Sequence, residues 1–149
     1  KDAIYWAKLD QFVNPADKDK PLERPNFIQV TDSRGSNVGW NLSIKQEAQF
    51  MNEEEALDGA ELTFAKGVMS SADNGTAPTI TSPLTLTPGE AIEVVNAEEN
   101  EGKGTWVALF GKDNTEGATS ISLAVPGNSK KMEGIYTTSL TWDLTDAPA

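Results

Sequence analysis

GWNLSIKQ at residues 39–46 and LTWDLTDAPA at residues 140–149 contain the same figure: Trp, one variable residue, Leu. It occurs as Trp40-Asn41-Leu42 and as Trp142-Asp143-Leu144 in a chain that has four tryptophans in all. On an extended strand alternate side chains share a face. Trp40, Leu42 and Ile44 therefore point one way, while Asn41, Ser43 and Lys45 point the other. Leu140, Trp142 and Leu144 repeat the arrangement against Thr141, Asp143 and Thr145. A stripe with period 2 marks a half-buried strand, and an indole that buries about 150–250 Å² belongs by default in a small core. The other reading is that one or both indoles line a groove and stack on a ligand, using the ring N–H as a polar handle. Both readings place the two figures close together in space.

The same period runs through most of the chain. Strands are predicted over Tyr5–Leu9, Asn26–Thr31, Val38–Phe50, Ala60–Ala65, Thr79–Thr87, Ala91–Asn96, Thr105–Phe110, Ser120–Val125 and Ile135–Thr145, with Gly, Pro, Asn and Asp between them. Asp32-Ser33-Arg34-Gly35 has Asp first and Gly fourth, as a type I turn prefers, and is expected to join the two strands around it as a hairpin. Pro88-Gly89 is a second turn, and Glu53–Leu57 hints at one short helix. Short strands at regular spacing predict an all-β fold: an antiparallel β-sandwich, Greek-key and Ig-like. A closed barrel is the alternative that periodicity leaves open. Asn14–Pro25 (NPADKDKPLERP) is a long polar excursion, expected to cross the sandwich and not to divide it. Residues 1–149 are thus read as one domain, long enough to bury roughly 68–70% of the unfolded chain's surface.

Composition excludes several chemistries. There is no His and no Cys, which removes the Ser-His-Asp triad, thiol nucleophiles, His-ligated zinc and disulfides. The formal charge of −11 repels nucleic-acid phosphates and anionic lipid headgroups, so no nucleic-acid partner is expected. The acidic clusters Glu53-Glu54-Glu55 and Glu98-Glu99-Asn100-Glu101 read as solvated loops. No stretch approaches the ~20 apolar residues of a membrane span.

Other constellations are weaker. Asp17-Lys18-Asp19-Lys20 and Asp73-Asn74-Gly75 have some of the spacing of calcium ligands but lack the full loop pattern with its twelfth-position Glu. Gly102-Lys103-Gly104-Thr105 is followed by a predicted strand, where a phosphate loop needs a helix. No cofactor or metal is expected. Carboxylates are numerous enough for a glycosidase pair about 5–10 Å apart, so a carboxylate-based glycoside hydrolase or other carbohydrate-active enzyme is the alternative function.

The runs ERPNFIQVTDSRGSNVGWNLSIKQEAQF, LDGAELTFAKG, NAEENEGKGTWVALFG, ISLAVPGNSKK and YTTSLTWDLTDAP together resemble the WxL domain family of Gram-positive bacteria. The two spaced Trp-x-Leu figures are the signature, with TDSRG before the first and the VPG loop before the second. The resemblance implies a non-catalytic, secreted domain at the cell surface, held non-covalently on the cell wall through peptidoglycan. It also implies surface complexes with WxL-interacting proteins. Its motif positions fall on Trp40, Leu42, Trp142 and Leu144. Family members usually open with a further strand ahead of a segment like IYWAKLDQF, so the first family strand is expected to be missing upstream of residue 1 and an edge left exposed. The chain shows no Leu-Pro-x-Thr-Gly sorting signal, and retention without a covalent link is the expectation.

Overall fold

The chain reverses direction every few residues, and every strand pair that results is antiparallel. The computed structural model describes residues 2–72, 75–129 and 134–146. In chain order the elements are β1 (Ala3–Trp6), β2 (Asp10–Phe12), β3 (Leu22–Arg24), β4 (Phe27–Asp32), β5 (Trp40–Gln46), β6 (Met51–Asn52), β7 (Glu55–Ala56), β8 (Glu61–Phe64), β9 (Gly67–Ser70), β10 (Thr79–Ile80), β11 (Leu84–Thr85), β12 (Ala91–Ala97) and β13 (Gly104–Phe110). A single-turn helix α1 (Asn114–Gly117), β14 (Ile121–Val125) and β15 (Leu140–Thr145) follow.

Two layers enclose the main core, and Leu57, Ala60 and Val125 form a second, smaller cluster. The first layer is the sheet β10-β12-β5-β15. The second is built from β4-β13-β9 and β1-β14-β8-β11, which meet end to end. The chain passes from β8 into β9 through Ala65 and Lys66. There the Ala65 N–H donates to the Ser120 carbonyl (2.7 Å) and the Gly111 N–H to the Lys66 carbonyl (2.8 Å), so the two sheets act as one wall. Trp40, Leu42, Ile44, Val94, Val95 and Ala97 from the first layer pack on Phe64, Leu84, Ala108, Phe110 and Ile121 from the second. Phe64 and Phe110 meet with ring centroids 5.2 Å apart.

Strand β12 shows how sequence is fitted to this core. Its register against β5 shifts between Glu93 and Val95, making Val94 the extra residue of a β-bulge. The bulge breaks strict alternation, so Val94 and Val95 are both buried. Along one long side the sandwich is closed: the Gly67 N–H donates to Ser82 Oγ (3.0 Å), and the Ile80 side chain sits where a Cβ on Gly67 would come within 2.7 Å of it. Along the other long side β4 and β15 face each other as sheet edges, with no strand pairing between them among the described residues.

The β-sandwich expectation holds, and these free edges set it apart from a closed barrel. Several local expectations do not hold. Asp32–Gly35 does turn the chain, but its flanking strands are not a hairpin: β4 pairs with β13, whereas β5 pairs with β12 and β15. Arg34 folds back onto Asp32 and sends the chain across to the other layer. Glu53–Leu57 is not helical; it is the tip and return arm of the β6–β7 hairpin, with Glu53 at φ +54°. The helix lies at Asn114–Gly117, where Asp113 Oδ1 accepts from the Glu116 N–H (2.9 Å) as its N-cap. Thr79–Thr87 is cut at Pro83, which has no N–H to donate, and its halves β10 and β11 lie in different sheets. The Asn14–Pro25 excursion does not cross the sandwich. It forms most of the β2–β3 hairpin, fixed by Arg24, which pairs with Asp10 (2.7 Å) and lies 4.5 Å over the rings of both Phe12 and Phe27. Asn114 Nδ2 ties this hairpin to α1 through the Glu23 carbonyl (3.1 Å).

Candidate functional site

The two Trp-x-Leu segments are neighbouring strands of one sheet. In the β5–β15 register Trp142 stands opposite Ile44 and Leu144 opposite Leu42, so both apolar stripes face the same way. Their surroundings differ. Strand β5 has a partner on each side, and Trp40, Leu42 and Ile44 keep 2%, 4% and 1% of their exposure. Strand β15 ends the sheet, and Trp142 and Leu144 remain 39% and 53% exposed. The expectation of a buried stripe is met at the first motif. At the second, the stripe points to the core side but overhangs the edge of the opposing layer.

Trp40 is held by a loop that its own size requires. Its indole N–H donates to the Gly102 carbonyl (3.1 Å), and a Cβ on Gly102, at φ +71°, would come within 2.7 Å of that ring nitrogen. Gly39, at φ +88°, lies so close to the end of β12 that a Cβ would come within 2.2 Å of the Ala97 carbonyl oxygen. Trp142 packs edge-to-face on the core residue Phe64, with ring centroids 6.5 Å apart.

Between β15 and β4 runs a slot made of two hollows, the first mainly apolar. One, of about 320 Å³, lies between Trp142 and Leu140 on one side and Phe27 and Ile28 on the other, with Phe64 and Phe110 at its floor. The second, of about 250 Å³, is mixed: Trp40, Leu144 and Val30 line its apolar part, and Thr31, Asp32, Arg34 and Asp146 its polar end. The motif residues Trp40 and Leu144 thus share one hollow, while Trp142 lines the other; Leu42 lies beneath, in the core.

Arg34 fastens the upper end of this slot. Its Nε and Nη2 donate to the two carboxylate oxygens of Asp32 (2.8 and 3.0 Å), Nη2 also donates to the Gly39 carbonyl (2.8 Å), and Nη1 to the Asp146 carbonyl (3.4 Å). One guanidinium therefore links the turn after β4, the entry to the first motif and the exit from the second. The Arg34 hydrogen bonds hold the Asp32 carboxyl below the ordinary carboxylate range, and Asp32 in turn raises the guanidinium. Asp32 therefore stays ionised, the reverse of what a general acid needs. On the outer face of β15, away from the slot, Thr141 Oγ1 donates to Glu47 Oε2 (2.6 Å) and lowers the Glu47 carboxyl.

The sequence marked Asp32–Gly35 as a turn but gave no sign that Arg34 would span both motifs. Phe64, the sole ring packed on Trp142 among the described residues, was read only as a strand residue. Asp17 caps its own turn, accepting from the Asp19 N–H (3.0 Å). Among the described residues no group of three or more carboxylates is placed to hold a metal ion; Asp73 and Asn74 lie outside them. A second exposed feature is the outer face of β1-β14-β8-β11. There Trp6 (50% exposed), Ser122, Thr63 and Thr85 stand side by side in one row, the two threonine hydroxyls 2.8 Å apart, with Ile4 (59%) two residues from Trp6 on the same face.

The slot thus has a half-exposed apolar wall, Trp142 and Leu144, and the Arg34–Asp32 ion pair at its upper end. A family model described as WxL domain surface cell wall-binding matches residues 1–148, and the chain belongs to that family. No curated protein and no solved structure matches it.

Proposed function

We propose that this cell-wall-binding surface domain is retained through peptidoglycan, without a covalent bond, and that it joins a second surface protein there. A charge of −11 facing an anionic wall cannot supply the attraction, so stacking and hydrogen bonds must. The observation that carries the glycan reading is the half-exposed Trp6 indole beside the Ser122, Thr63 and Thr85 hydroxyl row. An aromatic surface next to short hydroxyls on a flat sheet matches the apolar face and hydroxyl rim of a sugar ring. The second Trp-x-Leu motif, left at the sheet edge, is then free for a protein partner.

The test is sedimentation of the purified domain with insoluble peptidoglycan, with and without teichoic acids, across a salt series. The expected result is pelleting with both wall forms, insensitive to salt, reversed by denaturant and lost in Trp6→Ala. Pelleting that disappears when teichoic acids are stripped, or that Trp6→Ala leaves intact, overturns the assignment.

A further inference from the structure

We infer that β15 is an acceptor strand: an extended segment of a second protein, apolar on one face and basic on the other, adds to its free edge and fills the slot between β15 and β4. The inference rests on the reading that the domain joins surface complexes, and it specifies where and by what chemistry.

Sheet edges in soluble proteins are normally guarded by Lys or Pro, by a bulge or by brevity. The edges β10 and β11 are two residues long and β1 and β9 four, while β4, six residues long, forms the opposite wall of the slot. Strand β15 has no Lys, no Pro and no register break against β5, and among the described residues no strand pairs with the far side of its stretch 140–144. Its core-side residues Trp142 and Leu144 are left half open. They are two residues apart, roughly 6–7 Å along a strand, which is the repeat of inward side chains on an added strand. The hollows beneath them, about 320 and 250 Å³, lie in line along that edge. An added strand would hydrogen-bond to β15 and send alternate apolar side chains between Trp142 and Ile28 and between Leu144 and Val30.

Charge selects the occupant. The outer face of β15 carries Asp143, with Glu47 beside Thr141, and the nearby Lys45 lies 3.6 Å from Glu47. A second copy of this chain would place β15 against β15, acid against acid, between bodies of charge −11. A strand with Lys or Arg on its outer face gives opposite-charge cross-strand pairs instead.

The experiment uses synthetic eight-residue peptides that alternate Val or Ile with Lys or Thr. Binding is followed by tryptophan fluorescence and by hydrogen exchange of β15 amides. The expected result is saturable binding that protects β15, weakened at least tenfold when the lysines are replaced by glutamates and abolished by N-methylation of the peptide edge facing β15. Leu144→Lys, a charge at a half-exposed position that leaves the core intact, should weaken it by a similar factor. Trp6→Ala should still bind, so this inference and the wall reading fail separately. Equal binding of the acidic peptide, protection elsewhere than β15, dimerisation of the domain through β15, or protection of β15 by soluble peptidoglycan fragments instead of peptide would each overturn it.

Discussion

Trp142 stands directly opposite Ile44 on the neighbouring strand, facing the same side, yet Ile44 is 1% exposed and Trp142 39%. One register row thus runs from core to surface within a single strand spacing. The two Trp-x-Leu motifs are equal in sequence and unequal in place, because β5 is interior to its sheet and β15 ends it.

That inequality predicts unequal mutants. Trp40→Ala removes a buried indole, orphans the Gly102 carbonyl and leaves a cavity, and should cost about 3–5 kcal/mol. Trp142→Ala loses the Phe64 contact and part of its burial, and should cost about half as much. Urea unfolding of the two variants beside the parent checks this; equal losses would place Trp142 in the core.

The loops that seat Trp40 should be as sensitive as the ring itself. Gly39→Ala puts a Cβ where the Ala97 carbonyl already stands and forces a positive φ on a residue that resists it. The left-handed conformation alone costs about 1–2 kcal/mol, and the clash adds to it. Gly35→Ala is the control: its φ is also positive, at +79°, but a Cβ there meets nothing within 4 Å. Thermal midpoints should fall well below the parent for Gly39→Ala and only a few degrees for Gly35→Ala. Matching midpoints would mean that the close approach at Gly39 is relieved at no cost.

How far the sequence could be read follows from range. Alternation within a strand is local, so the all-β class, the strand at Trp40 and the common face of Trp40, Leu42 and Ile44 were legible. Which strand lies beside which is not local. Asp32–Gly35 has turn chemistry, but whether its flanking strands pair depends on β13, some seventy residues on, whose register with β4 runs from Gly104 opposite Asp32 to Leu109 opposite Phe27. Exposure of Trp142 was illegible for the same reason, since nothing in Leu140–Thr145 states that β15 ends its sheet. The Glu53–Leu57 reading failed differently: helix-favouring glutamates were outweighed by the pairing of Met51 with Ala56 and by the bridge from Met51 to Thr137.

A buried polar atom offers another test. Gln46 is fully buried; its Nε2 donates to the Ala48 carbonyl (2.9 Å), while no partner is found for Oε1 among the described residues. An unsatisfied buried acceptor costs about 1–3 kcal/mol. Gln46→Met, similar in volume, gives up one hydrogen bond but removes that penalty, and its unfolding free energy should lie within about 1 kcal/mol of the parent. A loss of several kcal/mol would show that Oε1 is satisfied by ordered water in solution.

The Arg34–Asp32 pair should be visible in the pH dependence of stability. Asp32 is lowered in the folded state, chiefly by its hydrogen bonds from Arg34, so its carboxylate binds protons less readily folded than unfolded. Its contribution is fully present above the ordinary carboxylate range and is lost as pH falls through the lower folded value. Glu47, lowered by Thr141, acts in the same direction. Acidification also relieves the repulsion of a −11 chain, which raises stability over part of the same range, so the parent's curve alone is ambiguous. The informative quantity is the difference between parent and Asp32→Asn, measured by urea unfolding from pH 7 to pH 2.5. It should be constant from pH 7 to about pH 5 and shrink below pH 4, as the parent loses an ion pair that the variant never had. Arg34→Ala should show the same closing gap from a lower starting stability, because it also releases the carbonyls of Gly39 and Asp146 at the ends of the two motif strands. A gap that stays constant down to pH 2.5 would mean that Arg34 and Asp32 do not pair in solution.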